Sequence, residues 1–189
     1  VIPNIISYQY ASEAVSYNQD TGILKWRIRP PHHFRATRGH KIFNTKHAGS
    51  KAGNLSEKGY LRLVLNGKTI VVHRIIFLLM TGRLPYHQID HKNHNRSDNR
   101  WGNLREATND QNHLNQKLNS SNTSGHTGVC WDKANKKWRA LICFRGNKIS
   151  LGRFGDIEDA ISARTSANKK YGFHKNHGKT KIEIEAQER

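Results

Sequence analysis

Apolar and polar positions alternate with a period of two in several separate stretches of the chain. In VSYNQDTGILKW, Val15–Trp26, the alternation stands on both sides of Asp20-Thr21-Gly22 and predicts a β-hairpin. It returns in GYLRLVLNGKTIVV, where Asn66-Gly67 marks a two-residue hairpin turn with both φ angles positive. Ahead of the first hairpin, a short helix is expected around Tyr10–Val15. After the second, the period becomes helical. Ile75, Ile76, Leu78, Leu79 and Met80 then form the core face of a helix from His73 to about Thr81, ended by Gly82 and Pro85. Gln88–His91 steps by alternation into Asp90-His91, a polar loop dense in Asn and Asp follows, and Leu104–Ala107 forms a return strand. Thr108 and Gln111 make a capping box, so a helix should run from Asn109 to about Lys117.

Lys117–Gly125 carries no apolar residue except Leu118 and reads as a linker. Beyond it, GVCWD, WRALICFR and KISLGRF predict three strands, with turns at Lys133–Lys137 and Gly146-Asn147. Asp156-Ile157-Glu158 opens a helix to about Tyr171, stopped by Gly172. By parity, Val129, Trp131, Trp138, Ala140, Ile142, Phe144, Ile149 and Leu151 face that helix. Cys130, Asp132, Arg139, Leu141, Cys143, Arg145, Lys148 and Ser150 form the open face. The tail alternates at KIEIEAQ, and an edge strand and a loose end both remain open. The fold class is α+β. The expected organisation is a hairpin region plus a core built around the Asn- and Asp-rich motif over 1–118 (motif about 72–117), a linker over 119–125, a sheet-plus-helix domain over 126–175 and a tail over 176–189.

Charge narrows the function. The 189 residues hold 32 Lys plus Arg against 14 Asp plus Glu, a net +18 spread along the chain. A polyanion is the natural partner, and nucleic acid fits better than a membrane surface. Only two cysteines occur, Cys130 and Cys143, with no CxxC pair, so neither a zinc knuckle nor a disulfide framework is indicated, and a reducing cytoplasm suits them. No apolar run approaches a membrane span. Arg27–Gly49 reads as a basic loop with His32, His33, His40 and His47. Without a spacing repeat, a Cys or an acid beside them, contact with phosphate is the expected role rather than metal binding.

The Gln88–Asn115 stretch carries the candidate chemistry. Asp90 and the Asn112 amide are hard oxygen ligands suited to a magnesium-like ion, and His91 could take a proton from water. At these residues the chain resembles the HNH, or ββα-metal, nucleases, and most closely the phage homing endonucleases whose motif begins with Asp. The resemblance rests on V-H-R-I-I-F (Val72–Phe77), I-D-H (Ile89–His91), D-N-R-x-x-N-L-R (Asp98–Arg105) and the helix carrying Asn112. It implies that Asp90 and Asn112 ligate one Mg2+ or Mn2+ ion and that His91 is the general base. Asn103 would hold the loop that aims His91, and Arg74 and Arg105 would contact DNA. His113 is a less favoured ligand. His73 has two open readings, support of the site or DNA contact against a buried structural role. The third motif position is Asn rather than His, which favours an oxygen-bound ion over zinc.

The C-terminal stretch is similar to the plant APETALA/ethylene-response-factor DNA-binding domain, at Gly128-Val129, Lys137–Ile142, Leu151–Phe154, Glu158–Ala163 and Tyr171-Gly172. The resemblance implies a sheet laid in the major groove of double-stranded DNA, with Arg139, Arg145 and Lys148 as its cations. The family's contact positions read Thr127, Cys130, Leu141, Cys143 and Ser150 here, so its target sequence does not carry over. The expectation is a site-selecting, metal-dependent endonuclease of homing type, phage-encoded and acting in the bacterial cytoplasm. It would nick one strand as a monomer, with no small-molecule cofactor. The alternatives are a DNA-binding regulator with an inactive motif, or a double-strand cutter acting as a dimer.

Overall fold

The computed structural model describes residues 6–187. Residues 1–5 of the expected first domain and 188–189 of the tail lie outside them. The chain divides into two compact units, Val1–Ala107 and Thr108–Arg189.

In the first unit, α1 (Tyr8–Ala14) begins where the Ser7 side chain accepts the Tyr10 N–H. It runs into the antiparallel hairpin of β1 (Val15–Asn18) and β2 (Ile23–Trp26). Arg27–Gly49, expected as a loop, instead holds a 3-10 turn at Pro31–His33 and α2 (Thr37–His47). None of the α2 residues is buried, so no apolar stripe announced this helix. Next, β3 (Asn54–Leu55), β4 (Leu61–Leu65) and β5 (Lys68–Val71) form a three-stranded sheet in chain order. The turn is the one the dipeptide demands, with φ of 49° at Asn66 and 71° at Gly67.

The next helix, α3 (Val72–Thr81), ends at Gly82 with φ 73°. Ile75, Ile76 and Leu78 are buried together with Leu63, Leu65 and Leu24. Each such side chain contributes about 1.5–3 kcal/mol through burial. Met80 departs from the expected core face and is exposed, while Phe77 and His73 are buried in α3. Finally β6 (Gln88–His91) pairs antiparallel with β7 (Leu104–Ala107), which follows a 3-10 turn at Trp101–Asn103. Their register sets Asp90 opposite Arg105 and His91 opposite Leu104.

The second unit opens with α4 (Asn109–His113), whose Thr108–Gln111 capping box forms with both hydrogen bonds in place. This helix stops short of the expected Lys117. Beyond it, the Leu114 carbonyl accepts from the His174 N–H at 2.9 Å and the Gln116 carbonyl from the Gly178 N–H at 2.8 Å. These two hydrogen bonds to residues near the C-terminus take the place of further helix. The strands β8 (Val129–Asp132), β9 (Lys137–Phe144) and β10 (Asn147–Phe154) form an antiparallel sheet in the order β10-β9-β8. Against it lies α5 (Ile157–Lys170), burying Val129, Ala140 and Ala160 together.

Two details of this unit correct the sequence reading. Arg145 is not on the open sheet face; with φ 50°, beside Gly146 at 81°, it forms the β9–β10 turn. The tail at KIEIEAQ is neither strand nor loose but a helix, α6 (Lys181–Gln187). Thr180 and Glu183 cap it reciprocally, the Thr180 N–H donating to Glu183 Oε2 at 2.6 Å and the Glu183 N–H to Thr180 Oγ1 at 3.3 Å. Among the described residues, no helix is long and apolar enough to cross a membrane.

Candidate active site

The site in the first unit is built on the β6–β7 hairpin. Asp90 is half-buried, and its cross-strand partner Arg105 reaches over to it. Arg105 Nε and a terminal nitrogen donate to Asp90 Oδ2 at 3.0 and 2.8 Å. Arg105, expected to touch DNA, therefore lies with its guanidinium on the carboxylate expected to hold a metal.

The neighbouring His91 is 3 % exposed. Its Nε2 stands 3.1 Å from Asn99 Oδ1. An amide oxygen only accepts, so the Nε2 carries the proton and Nδ1 is the nitrogen that can receive one. Burial pushes the His91 pKa below its ordinary value, opposed by the Asn99 hydrogen bond and the Asp90 and Asp98 carboxylates. The ring is thus neutral near pH 7, as a base must be.

The Asn-rich loop between the strands is closed by its own amides. Asn103 Oδ1 accepts the Asn93 N–H at 3.0 Å, and its Nδ2 donates to the Asp98 carbonyl at 2.7 Å. Asn93 Nδ2 donates to Asp98 Oδ2 at 2.7 Å, while Arg100 grips both Asp98 oxygens at 2.9 and 2.6 Å. Asn103 thus spans the loop, and Asn99, which the sequence reading did not single out, touches the His91 ring. Asn99 stands inside the quoted D-N-R run, yet its role depends on how the loop closes, with His94 at φ 60°.

The first hairpin buttresses this loop. The Tyr17 hydroxyl donates to the Asn99 carbonyl at 2.8 Å, and the Trp101 N–H donates to the Gln19 carbonyl at 3.0 Å. At the hairpin tip, Gly22 has φ 72°, and a Cβ there would lie 2.5 Å from the Arg100 nitrogen. On the other flank, His73 packs edge-on to His91 with ring centroids 5.2 Å apart, and Tyr60 lies beside both. Burial, then the neighbouring His91 and Arg74, push the His73 pKa down to about 3, so it is neutral and carries no charge for a phosphate. Arg74 turns a terminal nitrogen toward the Pro85 carbonyl at 3.4 Å.

Asn112 lies half-buried on α4 in the second unit, with His113 exposed beside it. Its amide oxygen and the Asp90 carboxylate are hard donors, a chemistry that fits magnesium or manganese better than a thiolate-seeking ion. In the same unit, Arg139 pairs in register with Cys130 and donates to its sulfur at 3.8 Å, while Lys148 is exposed on β10. A bulge between Ser150 and Gly152 adds Arg153 to the Arg139 row, where it pairs with Asp132 at 2.9 Å. A cavity of about 860 Å3 is lined partly by Arg145, Lys148 and Arg164.

No curated protein and no solved structure matches the chain. Residues 71–114 match the family model described as HNH endonuclease. That match spans α3, the β6–β7 hairpin and α4, so it covers Asp90, His91, Asn99, Asn103 and Asn112 together, and it supports a nuclease.

Proposed function

We propose that this chain is a metal-dependent DNA endonuclease of the HNH homing type that hydrolyses one phosphodiester and nicks one strand as a monomer. The observation that carries the reading is the buried, neutral His91, its Nε2 set on Asn99, next to Asp90 in a stretch similar to HNH endonucleases. His91 Nδ1 would take a proton from water as the water oxygen bonds to phosphorus. One P–O bond breaks, leaving a hydroxyl end and a phosphate end. Asp90 and Asn112 would hold one Mg2+ or Mn2+ ion, which when bound stabilises charge on the phosphate oxygens. Asn103 and Asp98 keep the loop closed, and Asn99 keeps the His91 tautomer.

The second unit is proposed as the reader of double-stranded DNA, after its likeness to the APETALA/ethylene-response-factor domain. Arg139 and Lys148 on the sheet and Arg145 in the turn are its candidate cations, joined by Arg74 of the first unit. Phosphate contacts would dominate, with thymine methyls packing on Leu141 or Cys143. A bacterial cytoplasm, as host of a phage-encoded enzyme, suits the reduced cysteines.

One observation favours a rival, the DNA-binding regulator with an inert motif, because Arg105 already neutralises Asp90. Supercoiled plasmid incubated with Mg2+ or Mn2+ separates the two. Open circles that appear only with the ion and vanish with Asp90→Ala support the nuclease. Intact plasmid that the protein nevertheless binds supports the regulator, and linear product at the outset supports a dimeric double-strand cutter.

A further inference from the structure

Away from the β6–β7 hairpin, three side chains of the first unit converge without a part in the chemistry above. Glu13 stands near the end of α1, and Pro30-Pro31 lead into the tight turn that presents His32 and His33. Both imidazoles aim Nε2 at the same atom, Glu13 Oε2, each at 3.0 Å. The donor atoms of the three residues all lie within 4.8 Å of one another. Gln9 Nε2 holds the other carboxylate oxygen at 3.0 Å. The His33 side chain is 0 % exposed and stacks on Tyr10 at 3.7 Å, whereas the His32 side chain is 65 % exposed.

We propose that Glu13, His32 and His33 form a second metal site, for a zinc-class divalent ion, which pins the Pro31–His33 turn to α1. A four-coordinate ion about 2.0–2.1 Å from nitrogen and oxygen donors needs donors about 3.3–3.4 Å apart. The two Nε2–Oε2 separations are already close to that edge. An ion seated between Glu13 Oε2 and the two Nε2 atoms takes the place of these hydrogen bonds, and as His33 binds through Nε2 its ring proton moves to Nδ1.

Two imidazoles and a carboxylate suit zinc, and magnesium, which prefers oxygen donors, is a poor match. Three protein ligands leave the fourth position to water, an open site rather than a closed one. One contact opposes binding. Arg29 Nε donates to His33 Nδ1 at 3.3 Å, and an Nε2-bound imidazole presents an N–H there. Arg29 has other anchors, the Tyr10 hydroxyl at 2.9 Å and the Phe34 and Phe43 rings at 4.7 and 4.9 Å, so this long bond can be released. Its charge makes the site weaker than a cysteine-built one.

The test is equilibrium dialysis of the chelator-stripped full chain against zinc, beside the Glu13→Gln and His32→Asn variants. Each variant should bind one zinc ion fewer per chain than the parent. Asp90→Ala should retain the ion that His32→Asn loses, which separates this site from the nuclease centre. With cobalt in place of zinc, the visible absorption of a four-coordinate ion should appear in the parent and fade in both variants, while Mg2+-dependent nicking stays unchanged. The His32 side chain is exposed, and a melting temperature equal to the parent's is the check that His32→Asn stays folded. Equal zinc counts in the parent and His32→Asn overturn the proposal.

Discussion

One neighbour sets the state of the His91 ring. The Asn99 amide oxygen fixes the proton on Nε2, and burial keeps the ring neutral. Replacing Asn99 with Ala removes that choice of tautomer and leaves Nε2 without its acceptor. The expected result is a fall in nicking rate of about 10-fold or more, within the range that a positioned base contributes, with DNA affinity unchanged. A pH profile tests the same residue. A base lowered below its ordinary 6.5 is protonated and idle in acid, gains activity as pH rises through its pKa, and is mostly deprotonated at neutral pH. A cation at Asp90 shifts it in the same direction. The midpoint of single-turnover nicking should therefore lie below pH 6.5, and a midpoint above 6.5 would contradict the assignment. At this scale motif spacing marked Asp90, His91 and Asn103 as candidates, and the structure places Asp90 and His91 side by side on β6 with Asn103 spanning the loop that follows. The spacing did not expose Asn99 or Glu13, whose partners are set by loop closure and by a turn far along the chain.

Between elements, the first hairpin supports the Asn-rich loop that joins β6 to β7. Gly22 allows the tip to adopt φ 72° and to touch the backbone of Asn99 and Arg100. Gly22→Ala adds strain at a positive φ, costing about 1 kcal/mol, and a collision with backbone. The expected outcome is a lower melting temperature and a nicking rate that falls further than DNA binding does; unchanged rates would refute the buttress. Local signals made several elements legible. Asn66-Gly67, the Thr108 capping box and the α3 apolar stripe each act within a few residues. The helix α2 was hidden because it buries nothing, and α6 because the alternation of Ile and Glu competed with the Thr180–Glu183 cap, and the cap prevailed. The turn at Arg145-Gly146 shows how a shift of one residue removes a cation from a sheet face.

Across the whole molecule, the +18 charge suits the polyanionic partner proposed above. Contacts with about six to ten phosphates would cost about 10³- to 10⁵-fold in affinity between about 50 and 200 mM salt. Filter binding across that range should show the steep loss; a flat response would mean that the basic residues do not neutralise phosphate. The α+β class and the sheet-plus-helix module were legible because they follow from alternation and turns. The division after Ala107 was not, since it depends on long-range pairing of Leu114 and Gln116 with residues near the C-terminus.

The claim beneath these expectations is that His91 deprotonates the attacking water. Single-turnover nicking of supercoiled plasmid by His91→Ala in Mg2+, with DNA binding measured on the same preparation, tests it most directly. The expected rate is about 10²- to 10⁴-fold below the parent, with binding nearly intact. A variant that nicks as fast as the parent would contradict it.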